Sequence, residues 1–472
     1  MTDHGGTGHT LVGTTLRERT AEAVTNVRLR GALARATDRF GDHRAAALDT
    51  LEGPDDLRQA ARAIKADVVS RLPELLAQFA DNVTATGGQV CWAADGAEAN
   101  AYIASVAQRI GARTVVKSKS MATEETDLNE ALEAIGCHVV ETDLGEWIIQ
   151  LAKHKPSHII APAVHLDRYQ VAEFLQEQVT DDRVLEAAPG PLAAFAREQL
   201  RAEFLRADLG ISGCNFGIAE TGSIVLVTNE GNGRLCTSVP RVHIAVMGME
   251  RLLADWQQLD LFVNLLARSA SGQHLSSYTS IITGPRREGE ADGPDELHVV
   301  ILDNGRSEIL GTELQEILSC IRCGACLNVC PVYRQIGGHA YGWVYSGPVG
   351  AVLTPLLAGA HEEAAELSNA STLCGACMDA CPVSIPLQDL LLALRRRRSA
   401  QATRAERAAW KAWATAWSHP KSFRASMKVA TTGRGLGRFA DRAPGLTRWT
   451  AGREAPMPAA RTFHERWKAG DI

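Results

Sequence analysis

Four cysteines within eleven residues constrain this chain more than any other feature: Cys320-Ile-Arg-Cys323-Gly-Ala-Cys326-Leu-Asn-Val-Cys330, followed by Pro331. The spacing C-x2-C-x2-C-x3-C-P is the run that carries iron–sulfur clusters in bacterial-type ferredoxins. Three thiolates two residues apart can wrap one turn of backbone around three irons of a cubane. The small pair Gly324-Ala325 lets that backbone come close and aim its N–H groups at sulfide. The fourth cysteine points away, and in two-cluster proteins it ligates the other cluster.

A second copy lies 51 residues on: Arg322–Val332 (RCGACLNVCPV) matches Leu373–Val383 (LCGACMDACPV). Cys323, Cys326 and Cys330 map onto Cys374, Cys377 and Cys381, but Cys320 maps onto Ser371. Crossing the last cysteine of each run gives a complete four-thiolate site of Cys320, Cys323, Cys326 and Cys381. The second site has three thiolates, Cys330, Cys374 and Cys377. Its fourth iron is open to solvent or substrate, held by Ser371 or an outside residue, or missing as in a three-iron cluster. Zinc favours isolated cages of C-x2–4-C pairs with longer gaps, so this density points to clusters. Seven of the eleven cysteines fall between Cys320 and Cys381, which in a cytosolic chain argues for metal over disulfides.

At 472 residues the chain exceeds one compact core, and two or three domains are expected. Residues 1–75 read as helical, with apolar spacing around Val69–Phe79. Residues 76–305 alternate short β-rich runs with helical stretches, which predicts an α/β domain with a mainly parallel sheet. Expected strands are Thr114–Val116, His138–Glu141, His158–Ala161, Ile224–Thr228, His243–Met247, Ser280–Thr283 and His298–Leu302. Expected helices are Glu98–Ile110, Glu124–Ile135 (capped by Thr123), Gly145–Lys153, Arg168–Glu177 and Pro191–Arg206. Residues 306–398 form a helical cluster-bearing region, whose stretch Val332–Thr372 shows little obvious core. Residues 399–472 form a basic tail in which Trp410, Trp413 and Trp417, then Trp449 and Trp467, suggest a docking face.

From Arg395 onward the chain holds 18 Lys/Arg against five Asp/Glu, a net of +13 against −6 for the whole. Such a tail either docks on an acidic partner or folds back on its own acidic body. The start, MTDHGGTGHT, lacks a charged-then-apolar leader, and no run of 18 apolar residues exists. A cytoplasmic protein is expected, with peripheral membrane contact left open. No nucleic-acid partner is expected, and no convincing flavin, nicotinamide or P-loop motif is present.

Within the α/β region two polar, glycine-rich turns, Ala219–Ser223 and Thr228–Gly233, flank a strand. Turns at sheet ends are where α/β proteins bind ligands, so Glu220, Asn229, Glu230 and Asn232 are candidate pocket residues. Lys117 and Lys119, after a strand and near a helix start, are candidates for holding an anion. The competing reading is plain turn chemistry, with Gly and Asn tolerating positive φ. Cys91, Cys137, Cys214 and Cys236 read as small buried hydrophobes.

These stretches together resemble the lactate utilization protein B family over nearly the whole chain. The likeness is carried by KSKSMATEETDLNEAL (117–132), GISGCNFGIAETGSIVLVTNEGNGR (210–234), VHIAVMGME (242–250), TGPRREGE (283–290), CIRCGACLNVCPVYR (320–334), GGHAYGWVYSGPVGAVLTPLL (337–357), STLCGACMDACPVSIPL (371–387) and TFHERWKAG (462–470). It implies a LUD domain of the CoA-transferase and sugar-phosphate-isomerase-like α/β class over 76–305. An all-α two-cluster ferredoxin domain and a short helical C-terminal region would follow. It also implies an iron–sulfur subunit of a three-protein system oxidising L-lactate to pyruvate, beside a cysteine-rich A subunit and a LUD-containing C subunit. Two competitors remain: a LUD-domain enzyme acting on a phosphorylated or CoA-like substrate, with structural clusters and Glu220 as its acid or base, and a redox subunit for another 2-hydroxy acid such as glycolate.

Overall fold

The computed structural model describes residues 13–358, 362–434 and 457–471. Valine- and isoleucine-rich runs between glycine and polar turns become ten strands: β1 (Gln89–Ala93), β2 (Thr114–Lys117), β3 (His138–Glu141), β4 (Leu209–Gly213), β5 (Phe216–Ile218), β6 (Ser223–Thr228), β7 (Val242–Gly248), β8 (Leu252–Leu253), β9 (Tyr278–Ile282) and β10 (Glu296–Leu302). Six form one wholly parallel sheet in the order β1-β10-β7-β4-β2-β3. Val115, Val116, Ile211, Ile244, Val299 and Val300 are fully buried in it. That fits strands covered on both faces, which carry continuous apolar runs instead of alternation.

Two expected strands, at 224–228 and 280–283, join a separate four-stranded sheet of order β8-β5-β6-β9. There β6 runs antiparallel to both β5 and β9. The cause is local: only four residues separate β5 from β6, and Gly222 takes a left-handed φ of +66° at the turn. A short connection permits a hairpin but no parallel crossover.

The run His158–Ala161 is irregular and not a strand. Its Ile160 N–H donates to His158 Nδ1 at 3.1 Å, a local bond that bends the chain out of a ladder. The expected helix Glu124–Ile135 is two helices, Met121–Glu125 and Leu128–Ala134, broken at Asp127 with φ +50°. Ser120, not Thr123, caps the first of them, accepting from the Thr123 N–H at 3.3 Å.

Helices Leu16–Thr25, Val27–Leu48, Pro54–Ser70 and Leu72–Ala85 occupy the N-terminal part. Their apolar side chains enter the same core as the cluster segment: Leu33, Ala61 and Val69 pack in one continuous cluster with Phe262, Ile317, Tyr333 and Leu353. Their arginines cap that segment's carbonyls. Arg19 Nε donates to Ala340 O at 3.0 Å, Arg44 Nη2 to Ala380 O at 3.0 Å and Arg58 Nε to Cys381 O at 3.1 Å. The described residues up to Arg396 form one compact unit and those from Arg397 a second.

Val332–Thr372 does have a core, contrary to the sequence expectation: Tyr333, Tyr341, Tyr345, Val352 and Leu353 are almost wholly buried. Helix Gly347–Leu357 is covered nearly all round, so it shows no amphipathic period to read. In the second unit, Trp413 stacks on Trp417 with ring centroids 5.3 Å apart, and Trp417 meets Phe423 of the next helix at 5.3 Å. The tryptophans at 410, 413 and 417 are thus partly engaged within their own helical pair. Trp449 lies outside the described residues.

His158 fastens the α/β part to the cluster segment. Because Nδ1 accepts from Ile160, the proton sits on Nε2, which donates to Asn328 Oδ1 at 3.0 Å. Burial first, and then the Lys119 charge, push its pKa down from 6.5 to about 3. A depressed folded value gives stability that is full above the unfolded pKa and lost as pH falls from about 6.5 toward 3. Between pH 7 and pH 5 the wild type should therefore lose about 2 kcal/mol more than His158→Gln. Urea titrations across that range read the difference, and parallel curves would assign the acid sensitivity to other groups.

Candidate iron–sulfur and ligand site

The two cysteine runs adopt the same backbone. Arg322 and Leu373, at matching positions, both take left-handed φ values, 58° and 56°, and Gly324 and Gly375 follow at 76° and 86°. A bulky residue seldom holds this conformation unless its surroundings dictate it. The paired left-handed residues curl each run so that its N–H groups face inward: the Arg322 N–H donates to Cys320 Sγ at 3.4 Å. In the second run the Leu373 N–H donates to Ser371 Oγ at 3.1 Å. Ser371 therefore sits in the turn that Cys320 occupies in the first copy. A short helix follows each glycine, Ala325–Asn328 and Ala376–Ala380, and the two pack together.

The thiols sort into two neighbouring sets, each drawn from both runs. Burial, then Cys381 and Cys320, push the Cys323 thiol up to about 12. Burial and the adjacent Cys320 raise Cys381 to about 11, and Cys326 is driven up by burial, by Cys320, Cys323 and Cys381 and, from the other set, by Cys377. Burial, Cys330 and Cys374 raise Cys377 to about 12. Cys374 differs: it is exposed, and its thiol is held below the ordinary value by the Thr372 hydroxyl and the Ala376 N–H.

These residues fit iron–sulfur clusters by their chemistry: each set is all sulfur, drawn from two short runs, and thiols of one set lie close enough to perturb one another. Ligation must strip protons from these buried thiols, so cluster binding is coupled to folding. Removing the clusters should loosen residues 371–381 first, because Cys374 is exposed, while 340–357 stay protected by their apolar packing. Hydrogen exchange of cluster-loaded and chelator-stripped protein measures this, and unchanged exchange at 371–381 would count against the coupling.

Beside the first run lies a cavity of about 1210 Å³. Parallel strands bring their C-terminal ends to one edge of the sheet, and residues at or just beyond the ends of β2, β3, β4 and β7 line it: Ser118–Met121, Asp143–Gly145, Gly213–Asn215, and Gly248, Glu250 and Arg251. This is where open α/β sheets bind ligands. Arg322 and Tyr345 of the cluster segment complete the wall.

A buried charge network joins the two parts. Arg306 Nε donates to Glu250 Oε2 at 2.7 Å and its Nη2 to Glu125 Oε1 at 2.6 Å. Arg322 Nη2 reaches Glu250 Oε1 at 3.2 Å and stacks over Tyr345, whose hydroxyl donates to Glu125. Arg251 Nη1 donates to Cys320 O at 3.0 Å. Burial opposes ionisation of Glu250, but Arg306, Arg322 and Arg251 hold it down to about 2. Burial and the nearby Arg251 lower Lys65 to about 7, and its Nζ donates to Glu250 O at 2.8 Å.

Of the pocket residues expected from sequence, Lys119, Asn229, Glu230 and Asn232 line this cavity. Lys117 does not. Its buried Nζ is spent on Glu141 at 2.7 Å, Glu124 at 2.9 Å and Thr123 at 3.0 Å. Glu220 is exposed and away from the lining, at a turn whose backbone bonds to Ala254 and Asn82. A strand end pairs those turns in sequence, but β6 belongs to the second sheet and carries its two ends apart. Arg251, Arg306, Arg322, Glu250 and Tyr345 were not singled out from sequence. Only the position of Arg322 between two motif cysteines signalled it.

A LUD domain profile matches residues 76–302, a 4Fe-4S dicluster domain profile 316–385, and a lactate utilisation protein B C-terminal profile 393–471. "Lactate utilization protein B" of Macrococcus caseolyticus is 47% identical over 447 residues, covering 93% of each chain. The proteins of that name from Shouchella clausii and Geobacillus kaustophilus are 48% and 47% identical, covering 93% and 95% of this chain and 94% and 95% of their own. The chain belongs to the lactate utilization protein B family. A crystal structure of a DUF162 family protein from Deinococcus radiodurans, 17% identical, covers 49% of this chain and 98% of its own at a TM-score of 0.28, too low to carry an argument.

The family assignment makes two 4Fe-4S clusters the cofactors, carried in the 316–385 region. The LUD stretch supplies most of the cavity wall, and the dicluster stretch supplies Arg322 and Tyr345. Among the described residues no helix is long and apolar enough to cross a membrane.

Proposed function

We propose that this chain is the iron–sulfur electron-transfer subunit of a complex that oxidises L-lactate to pyruvate in the cytoplasm. Its partners would be a cysteine-rich A subunit and a LUD-containing C subunit. The reading divides the chain into N-terminal helices to residue 75, a LUD domain to 305, a cluster domain to 398 and a basic tail. The first cluster takes Cys320, Cys323, Cys326 and Cys381, and the second takes Cys330, Cys374 and Cys377. Bound there, the clusters supply one-electron transfer, while lactate oxidation releases two electrons and two protons.

What supports the proposal is that thiols of the two runs lie near one another, Cys381 beside Cys320 and Cys323, and Cys330 beside Cys377. Adjacent sets make a relay, and the chain's own role is to hold it. Arg44 and Arg58 fix the carbonyls of the second run, and the buried network around Glu250 braces the first. Cys374 is exposed, so a second cluster held there would lie nearer to solvent, and so to a partner, than the first. The names of its relatives support lactate as the substrate of the system.

Low-temperature electron paramagnetic resonance of oxygen-free protein, with iron and sulfide counted, tests the clusters. Adding the two partners and L-lactate tests the role. Reduction of both clusters by lactate is expected. Colourless, zinc-bearing protein, or clusters that lactate leaves oxidised in the full complex, would reject it. The cavity favours one further reading, a LUD-domain enzyme with its own ligand, but that ligand's chemistry would have to use residues other than Glu220.

A further inference from the structure

Three side-chain donors on one cavity lack any hydrogen-bond partner: Ser118 Oγ, Lys119 Nζ and Arg322 Nη1. Ser118 and Arg322 are 2% and 8% exposed. Each cation has one carboxylate near it, Glu146 for Lys119 and Glu250 for Arg322, yet Lys119 Nζ and Arg322 Nη1 make no hydrogen bond. The nearest carboxylate to Lys119 is Glu146, at 3.8 Å, beyond hydrogen-bond reach. Arg322 shares Glu250 with Arg306, while Arg251 on the same wall adds a further positive charge. Around Glu250 and Glu125 three arginines face two carboxylates, and Cys320 also acts on Arg322 and Arg251, so it is the open donors Ser118 Oγ, Lys119 Nζ and Arg322 Nη1 that burial makes costly without an acceptor.

We propose that this cavity binds a small hydroxycarboxylate, its carboxylate held by Arg322, Lys119 and Ser118. A planar guanidinium offers paired donors matched to a carboxylate, and an ammonium adds a point charge. The ends of β2 and β7 are two strand spacings apart, about 10 Å; Lys119 follows β2, and Arg322 pairs with Glu250 just beyond β7. Asp143 and Glu230 line the same cavity. They repel a second anionic group and accept a hydrogen bond from a hydroxyl, which an oxo acid lacks. The acid fills only one end of so large a space. Arg322 lies between Cys320 and Cys323 in sequence and on the cavity wall, so the acid sits beside the first cysteine run. This deepens the electron-transfer reading and rests on it for the size of the acid, while the preference for an anion rests on the cavity alone.

Calorimetric titration of the cluster-loaded full chain with L-lactate, pyruvate and inorganic phosphate tests the site. Iron, sulfide and the dithionite-reduced resonance signal are measured on the same samples. Saturable L-lactate binding is expected, tighter than pyruvate, and weakened at least tenfold by Lys119→Gln, which lies outside the cysteine runs, and by Arg322→Gln. No saturable lactate binding, or equal binding in Lys119→Gln, overturns the site. Tighter phosphate binding with the same residue dependence overturns the hydroxycarboxylate in favour of a phosphorylated ligand. Lost binding with intact cluster signals sinks the site alone, whereas absent cluster signals sink the electron-transfer reading.

Discussion

Serine at Cys323 should remove about half of the chain's iron, and serine at Cys377 about the other half. The informative pairs are those that cross the runs. Cys381→Ser should erase the same resonance signal as Cys323→Ser, although Cys381 belongs to the second run. Cys330→Ser should erase the signal lost in Cys377→Ser. Groups that act on one cluster are not additive, so the double variant Cys323→Ser with Cys381→Ser should lose no more iron than either single change. Cys323→Ser with Cys330→Ser should lose nearly all of it. If Cys381→Ser instead behaves like Cys377→Ser, each run keeps its own cluster, and the sorting of thiols seen here has another cause. Iron and sulfide analysis with resonance spectra decides between the two, independently of any lactate assay.

Arg306→Leu should be the most damaging single change outside the cysteines. Arg306 is 1% exposed, and it bridges Glu125 to Glu250 while its Nη1 donates to Asp303 O at 3.0 Å. Removing it leaves two buried carboxylates facing each other with Arg322 as the remaining close cation of Glu250. Breaking a buried ion pair from one side costs about 3–5 kcal/mol. Denaturant unfolding of the cluster-loaded chain should show that loss. Adding Glu125→Gln should recover part of it, because a neutral amide tolerates burial without its cation. An unchanged midpoint in Arg306→Leu would mean that water reaches these carboxylates and that the network does not brace the joint between the cluster segment and the sheet.

Much of this architecture is legible in the sequence. The order β2, β3, β7 and β10 follows from short β-branched runs between turns, since strand and helix alternation is a local signal. Gln89–Ala93 and Leu209–Gly213 escape notice because their polar ends and glycines dilute the apolar run. Phe216–Ile218 is too short to show a period. Lys119, Asn229, Glu230 and Asn232 are readable as pocket residues because strand ends collect ligands. Lys117 and Glu220 show the limit of that rule. β2 runs one residue further than expected and takes Lys117 into the buried sheet, where Glu124 and Glu141 consume its charge, and membership of a second sheet carries Glu220 away.

By itself the sequence determined the spacing of the candidate iron ligands, because a spacing of two or three residues is a local property that the chain fixes before it folds. Only the tertiary structure decided what surrounds those cysteines: N-terminal arginines on the second run, Glu250 and Arg306 braced against Arg322, and a cation-lined cavity at the strand ends. Those contacts join residues tens to hundreds of positions apart, and they arise from burying apolar faces against one another, which sets distance in space without leaving any period along the chain.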